Sequence, residues 1–420
     1  MTSDAIAVLR AEALRLFSHA IKAADPAPAL ARQFAKNPIT PTDGTIYVIA
    51  VGKAACPMLR ETLKHVPKET KVKALAITNK ENFQLIEGAT VLPAGHPVPD
   101  VDGETAGKAV INLLSNTREN DRVIALISGG GSALLPAPID GITLADKARV
   151  STLLLGAGCD IESMNEVRQQ LSKLKGGGML RLAAPAPVDA FILSDVIGDD
   201  LRAIASGPTV APLGSHATAK KILETYNVYD QMPPRVKAHL ETPNVNSDDL
   251  PKANNTLICS NRQSLDAMQL NSKFAAKIMN DRLVGNVADV GPALVSLVNE
   301  IPADKPVALI FGGETTVTLK GTGMGGRNQD LALRFALNAH ALKGDWVFMS
   351  GGTDGRDGPT DAAGGLVDPR TIERIKNAGH DPENMLENND AYSALRESND
   401  LIIIGGTGTN VADVQIFLRA

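Results

Sequence analysis

Apolar residues recur in two registers along this chain. Ile6, Leu9, Ala13, Leu16, Phe17, Ala20 and Ile21 fall at helical spacing, which predicts an amphipathic opening helix that buries one face. A second pattern then takes over, a short run rich in Val and Ile followed at once by glycines. It occurs as IYVIAVGKA (46 to 54), VIALISGGGS (123 to 132), VALIFGGET (307 to 315), WVFMSGGTDG (346 to 355) and LIIIGGTGTN (401 to 410). Runs apolar at every position suit strands covered on both faces, and the segments 102 to 115 and 328 to 341 have helical spacing. The pattern therefore predicts five strands ending in glycine turns within an α/β chain. The stretch QMPPRVKAHLETPNVNSDDLPKANN (231 to 255) interrupts the series with Pro, Asn and Asp, and a new series restarts at TLICSNRQS (256 to 264). Two α/β lobes are expected, 1–245 and 246–420, with a cleft between them and the opening helix able to pack on either.

Composition narrows the classes. A chain of 420 residues has room for two or three domains. Its 42 basic and 47 acidic side chains leave a net charge of −5, so no cationic surface stands ready for a nucleic acid, and none is expected as a partner. Aromatic residues make up 3%, which predicts a core of Ala, Val, Ile and Leu. Cys56, Cys159 and Cys259 are far apart and form no CxxC, which suits a reducing compartment and excludes a thiolate zinc cluster. Asp4, Arg10, Glu12 and Arg15 interrupt the first segment, and no stretch reaches the roughly 18 apolar residues that span a bilayer. A cytoplasmic protein without a membrane partner is expected.

The candidate chemistry gathers at the glycine turns, because loops and helix N-termini with unpaired N–H groups converge beyond the carboxyl ends of parallel strands. Ser128, Gly129, Gly130, Gly131 and Ser132 can form a backbone nest for phosphate oxygens, or an ordinary tight turn. Lys53 follows a strand and opens a helix, where its ammonium can neutralise a transferring phosphoryl group or simply be solvated. Lys175, in KLKGGGML (173 to 180), raises the same question more weakly. Arg327, between glycines and a helix start, offers a planar fork for two-point contact with a carboxylate or phosphate. Among the acids, Asp195 follows the apolar run FILS and can accept a hydroxyl proton; Glu314, Asp354, Asp357 and Asp361 add carboxylates at strand ends. Asp195, Glu314 and Asp354 are the expected magnesium ligands, with Asx-turn chemistry as the competing account of each Asp. His96, in GHPVPD (95 to 100), is equally a turn residue or a ligand.

Other familiar signatures are missing. Both Gly-Lys pairs are followed by Ala, so no Walker loop exists, and there is no GxSxG elbow, HRD loop or HExxH. Gly321, Gly323 and Gly326 fit GxGxxG, but the preceding TTVTLK alternates like an exposed hairpin strand, and Arg327 crowds the place a pyrophosphate needs.

With these residues assembled, the chain resembles the class II glycerate kinases, whose C-terminal part is the MOFRL domain. The resemblance runs nearly end to end, through VGKAACPM (51 to 58), SGGGSALLPAP (128 to 138), LSKLKGGG (171 to 178), LSDVIGDD (193 to 200), ASGPT (205 to 209), GGETTVTLKGTGMGGRNQD (312 to 330), SGGTDGRDGPTDAAGG (350 to 365) and GTGTNVAD (406 to 413). It departs at Gly406, where the family often has Pro. The resemblance implies ATP-dependent phosphorylation of D-glycerate, at O2 to give 2-phosphoglycerate, with ATP and Mg²⁺ as cofactors. It also implies a Rossmann-like N-terminal lobe and a second α/β lobe of MOFRL type. Lys53, Asp195 and Arg327 would then be catalytic, Lys53, Glu314 and Arg327 would bind substrate, and Ser128–Ser132 with Lys175 would bind the nucleotide. A homodimer is the expected assembly. The same family often carries a hydroxypyruvate reductase name, so hydride transfer from NAD(P)H is the alternative activity.

Overall fold

The computed structural model describes residues 2–244, 250–302 and 305–420. The expected cut between residues 245 and 246 therefore lies outside the described residues. Two compact units emerge, one formed by Pro26–Ile258 and the other by Cys259–Ala420 together with the segment ending at Asp25.

The first unit is built on six strands, β1 (Thr45–Val51), β2 (Lys71–Asn79), β3 (Thr90–Ala94), β4 (Arg122–Ile127), β5 (Val188–Leu193) and β6 (Ala253–Cys259). Their order in the sheet is β3-β2-β1-β4-β5-β6, and the pairs from β3 to β5 are parallel. This is the doubly wound order, whose direction reverses between β1 and β4. Continuous apolar runs became central strands because helices cover both sheet faces, and Ile46 through Val51 are all buried. A further layer was not visible in the pattern. Helices Leu144–Gly156, Ile161–Gln170, His216–Thr225 and Pro234–Leu240 surround their own apolar cluster, centred on Val150, Leu154, Val167, Leu223 and Val236.

The second unit departs from the expectation of parallel strands. Its sheet runs β11-β10-β9-β12-β8-β7, made of β7 (Ala275–Asn286), β8 (Val307–Thr316), β9 (Trp346–Gly352), β10 (Gly364–Val367), β11 (Leu401–Ile402) and β12 (Asp413–Arg419). Only β7 and β8 are parallel; the other neighbours are antiparallel. The glycines of the run at 307 do not end their strand, since Gly312 and Gly313 lie inside β8, whereas β9 does end on its glycines, Gly351 and Gly352. The run at 401 to 404 gives only a two-residue edge strand. Ile403 and Ile404 are 60% and 44% exposed because the chain leaves the edge there to insert β12 between β9 and β8. TTVTLK is not a hairpin strand: Thr315 and Thr316 end β8, and the following backbone is held by side chains instead, with Asn389 Oδ1 accepting from the N–H groups of Lys320 and Gly321.

The opening helix, Thr2–Ala23, belongs to this second unit. Its stripe of Leu9, Ala13, Leu16, Phe17 and Ala20 packs against Ile310, Val347, Met349, Val414 and Ile416 of the sheet. A methyl on Gly351 would come within 2.9 Å of the Phe17 ring, so that strand position must be bare for the helix to sit down. Arg10 adds an anchor, pairing with Asp368 at 2.7 Å and Asp400 at 2.8 Å, while Arg374 holds the same two acids from the other side. On the opposite sheet face the scarce aromatic residues concentrate: Phe335 stacks on Phe348 at 4.0 Å and meets Trp346 and Phe417. The aliphatic core expected from composition thus describes the first unit better than the second.

Candidate functional site

In the first unit the carboxyl ends of β1, β4 and β5 lie side by side, and the residues that follow them carry the candidate chemistry. Gly52 and Lys53 leave β1, Ser128 to Ser132 leave β4, and Ser194 and Asp195 leave β5. Sequence patterning could nominate each loop, but only the strand order makes them neighbours. Lys53 N–H donates to Gly129 O at 2.9 Å, locking the two turns together. The Ser128 hydroxyl serves the same junction, accepting from Ala54 N at 3.1 Å and donating to Val51 O at 3.2 Å. Ser128 therefore clasps the two turns together. Beyond it, the N–H groups of Gly129, Gly130, Gly131 and Ser132 find no protein acceptor among the described residues, which leaves the nest expected there available to an anion.

Asp195 lies directly over this loop. A methyl on Gly129 would stand 2.1 Å from Asp195 Oδ2, so glycine is required for the carboxylate to approach. Burial raises the pKa of Asp195, while the charge of nearby Lys53 acts in the opposite direction. His96 faces the same loop, its ring 3.1 Å from where a Gly130 side chain would begin. Burial, and then the charge of Lys53, lower its pKa, so the imidazole is neutral at pH 7. His96 thus joins Lys53 and Asp195, a placement that its turn-like motif left undecided. Among the described residues no carboxylate comes within 4.0 Å of the Lys53 ammonium.

Lys175 is buried with only 5% exposure, and its ammonium reaches the Ser132 carbonyl at 2.8 Å and the Ser132 hydroxyl at 2.6 Å. It braces the loop from behind. Two cations with no distinguishing signal in the sequence line a cavity of about 310 Å³ beside it, Lys147 on the helix Leu144–Gly156 and Arg168 on Ile161–Gln170. Lys147 donates to Pro136 O at 2.7 Å and Leu171 O at 3.1 Å. Burial pulls its pKa down to about 7, and burial with the charges of Lys147 and Arg168 lowers that of Lys175 as well.

In the second unit, the fork of Arg327 is already engaged. Nε and Nη2 make the two-point contact with Asp413, at 2.6 and 3.0 Å, and Nη1 pairs with Glu314 at 2.8 Å. Burial opposes the charge of Arg327, but the hydrogen bond and charge of Asp413, with Glu314 and Asp357 nearby, raise its pKa and keep it protonated. The carboxylate expected from an outside ligand is thus supplied on one edge by Asp413, the first residue of β12, whose neighbours NVAD gave no sign of this pairing. Asp357 is no metal ligand candidate here: it caps the helix Arg327–Asn338 by accepting from Asn328 N and Gln329 N at 3.2 and 2.8 Å, and burial pushes its pKa up to about 7. Asp354 Oδ1 accepts from Arg356 N at 3.0 Å in an Asx turn, and Asp361 accepts from the Tyr392 hydroxyl. Among the described residues no group of three or more His, Cys, Asp and Glu side chains gathers as a metal cage.

The GxGxxG stretch is packed against its own chain. Asn388, Asn389 and Asp390 hold the backbone N–H groups of residues 320 to 324, and a methyl on Gly326 would stand 2.2 Å from Asp357 Cγ. The helix N-terminus that a pyrophosphate would need is filled by the Asp357 carboxylate.

Two family models match the chain. Residues 12–241 match the family described as a domain of unknown function, DUF4147, and residues 307–413 match the MOFRL family. The chain is 39% identical to a glycerate 2-kinase of Pyrococcus horikoshii over 97% of both chains, and 39% identical to a D-glycerate 2-kinase of Thermotoga maritima over 89% of this chain and 90% of that one. It superposes on the crystal structure of a glycerate kinase from Thermotoga maritima with a TM-score of 0.89 at 37% identity, covering 98% of this chain and all of the other. Among the described residues no helix is long and apolar enough to cross a membrane.

Proposed function

The chain belongs to the class II glycerate kinases, built of DUF4147 and MOFRL domains, and on that premise we propose that it transfers the terminal phosphoryl group of ATP to O2 of D-glycerate, giving 2-phosphoglycerate and ADP. One observation carries the assignment of the chemistry: Lys53, Asp195 and the free N–H groups of the Gly129 loop stand together at the point where the strand order reverses. The loop N–H groups hold nucleotide phosphate oxygens. Lys53 meets the transferring phosphoryl group and offsets the negative charge on its oxygens. The glycerate hydroxyl oxygen attacks phosphorus, the bond to the ADP oxygen breaks, and the hydroxyl proton passes to the Asp195 carboxylate, which burial makes a stronger proton acceptor than an exposed one. Lys175 keeps Ser132 and the loop in place.

In the second unit Arg327 and Glu314 form a charged pair, and it is the family resemblance, not their geometry, that assigns them to substrate binding. Magnesium is held mostly by phosphate oxygens and one or two carboxylates, so the absence of a cage among the described residues is compatible with it, and Asp195 is the residue that would hold it. When bound, the ion would neutralise phosphate charge. Glu314 and Asp354 suit that role less well, since one engages Arg327 and the other its own turn. A cytoplasmic setting fits this chemistry.

A ³¹P NMR time course with Mg·ATP and D-glycerate tests the proposal, beside a second tube with NADH and hydroxypyruvate. A resonance of 2-phosphoglycerate is expected. A 3-phosphoglycerate signal would overturn the assignment to O2, and NADH consumption without phosphoryl transfer would replace the kinase with the reductase.

A further inference from the structure

The cavity beside the glycine loop combines three unpaired cations with an apolar mouth. Each ammonium carries three donors, yet Lys175 and Lys147 each spend only two on protein oxygens. Arg168 spends Nε on the Ser151 hydroxyl at 3.3 Å and keeps its other donors. Among the described residues none of the three has a carboxylate within 4.0 Å. Cations withdrawn from water without a counter-charge cost stability, and the buried Lys175 shares its cavity with the half-buried Lys147 and Arg168, which adds to that cost. The cost makes sense when the missing anion is a ligand. At the mouth, Val98 and Leu155 are 72% and 63% exposed and line the same cavity, so they offer an apolar surface on which a flat ring can lie. At about 310 Å³ the cavity falls at the lower end of the range for small-molecule sites.

Resting on the kinase reading above, we propose that this cavity holds the nucleoside diphosphate part of the nucleotide, the base between Val98 and Leu155 and the inner phosphates on Lys147, Arg168 and Lys175. Ser132 joins the two sites, since it lines the cavity while belonging to the loop whose other end faces Lys53 and Asp195. The nucleotide therefore enters along the loop, with its terminal phosphoryl group directed at the reacting residues. This places nucleotide recognition on the helical layer that carries Lys147 and Arg168, apart from the sheet edge where transfer occurs.

Calorimetric titration of the full chain with ADP tests the assignment, with steady-state kinetics on the same variants. Lys147→Met removes a charge-assisted contact and Leu155→Asp places a carboxylate at the mouth; because Leu155 is exposed, the second variant keeps its fold even if the first loosens the Pro136 and Leu171 carbonyls. Each is expected to weaken ADP binding and raise the KM for ATP by about tenfold or more, with the KM for D-glycerate changed less than about twofold. ADP binding within about threefold of the wild type in Leu155→Asp would overturn the cavity assignment while phosphoryl transfer by the wild type leaves the kinase reading standing. Binding of inorganic phosphate but not ADP would overturn the nucleoside part. Failure of the wild type to phosphorylate D-glycerate would instead remove the premise.

Discussion

Replacing Gly129 by Ala tests the geometry of the reacting carboxylate with a single methyl group. The added carbon would stand 2.1 Å from Asp195 Oδ2 and 2.6 Å from its Cγ, whereas ordinary contact begins near 3.4 Å. The carboxylate must therefore withdraw by about 1.3 Å. Gly129 does not use the left-handed backbone region, so alanine suits the main chain, and the displaced atoms are the free end of a side chain. The cost falls on positioning and not on folding. A misplacement of about 1 Å costs on the order of 10²-fold in rate, equivalent to about 2.7 kcal/mol of transition-state stabilisation. ADP release coupled to D-glycerate phosphorylation should show kcat/KM reduced by that factor, with thermal unfolding close to wild type and Asp195→Asn at least as damaged. Activity of Gly129→Ala within about threefold of wild type would mean that Asp195 at this position does not take part in the reaction.

Three further outcomes follow from other parts of the molecule. Lys53→Ala should lose on the order of 10²-fold or more in kcat, because positioned charge is most of what a protein contributes to phosphoryl transfer; near-normal turnover would remove Lys53 from the mechanism. Phe17→Ala should cost about 3–5 kcal/mol in urea unfolding, since the ring is 2% exposed and fills the contact between the opening helix and β9; a loss below about 1 kcal/mol would place the helix elsewhere. Asp357, pushed up to about 7 by burial, binds a proton more readily folded than unfolded, so its contribution to stability is complete below about pH 4 and declines by at most about 4 kcal/mol as pH rises to 7. Asp357→Asn, which never ionises but can still accept the helix N–H groups, should lack that share of the decline, and identical pH slopes for the two proteins would contradict the burial argument.

Local pattern carried much of this protein. Unbroken apolar runs required strands covered on two faces, which identified β1 and β4 and, through the FILS run, β5; helical spacing gave the opening helix with its buried stripe. Glycine, lysine and aspartate at the ends of those runs were legible as candidate chemistry because strand ends expose N–H groups. Tertiary structure decided the rest, since pairing and burial depend on residues far apart in the chain. DVQIFLR carries Asp413, Gln415 and Arg419 among its apolar residues and so does not read as a buried central strand, yet all seven residues are buried, with Asp413 on Arg327 and Arg419 on the carbonyls of Ile301 and Pro302. The insertion of β12 made the second sheet mostly antiparallel and left Ile403 and Ile404 exposed. Lys147 and Arg168 looked like ordinary polar positions on amphipathic helices, and became a cationic cavity only when those helices packed. Sequence fixes which groups a strand end or helix face can offer; whether a charge meets water, a carboxylate or an empty cavity is set by what folds against it.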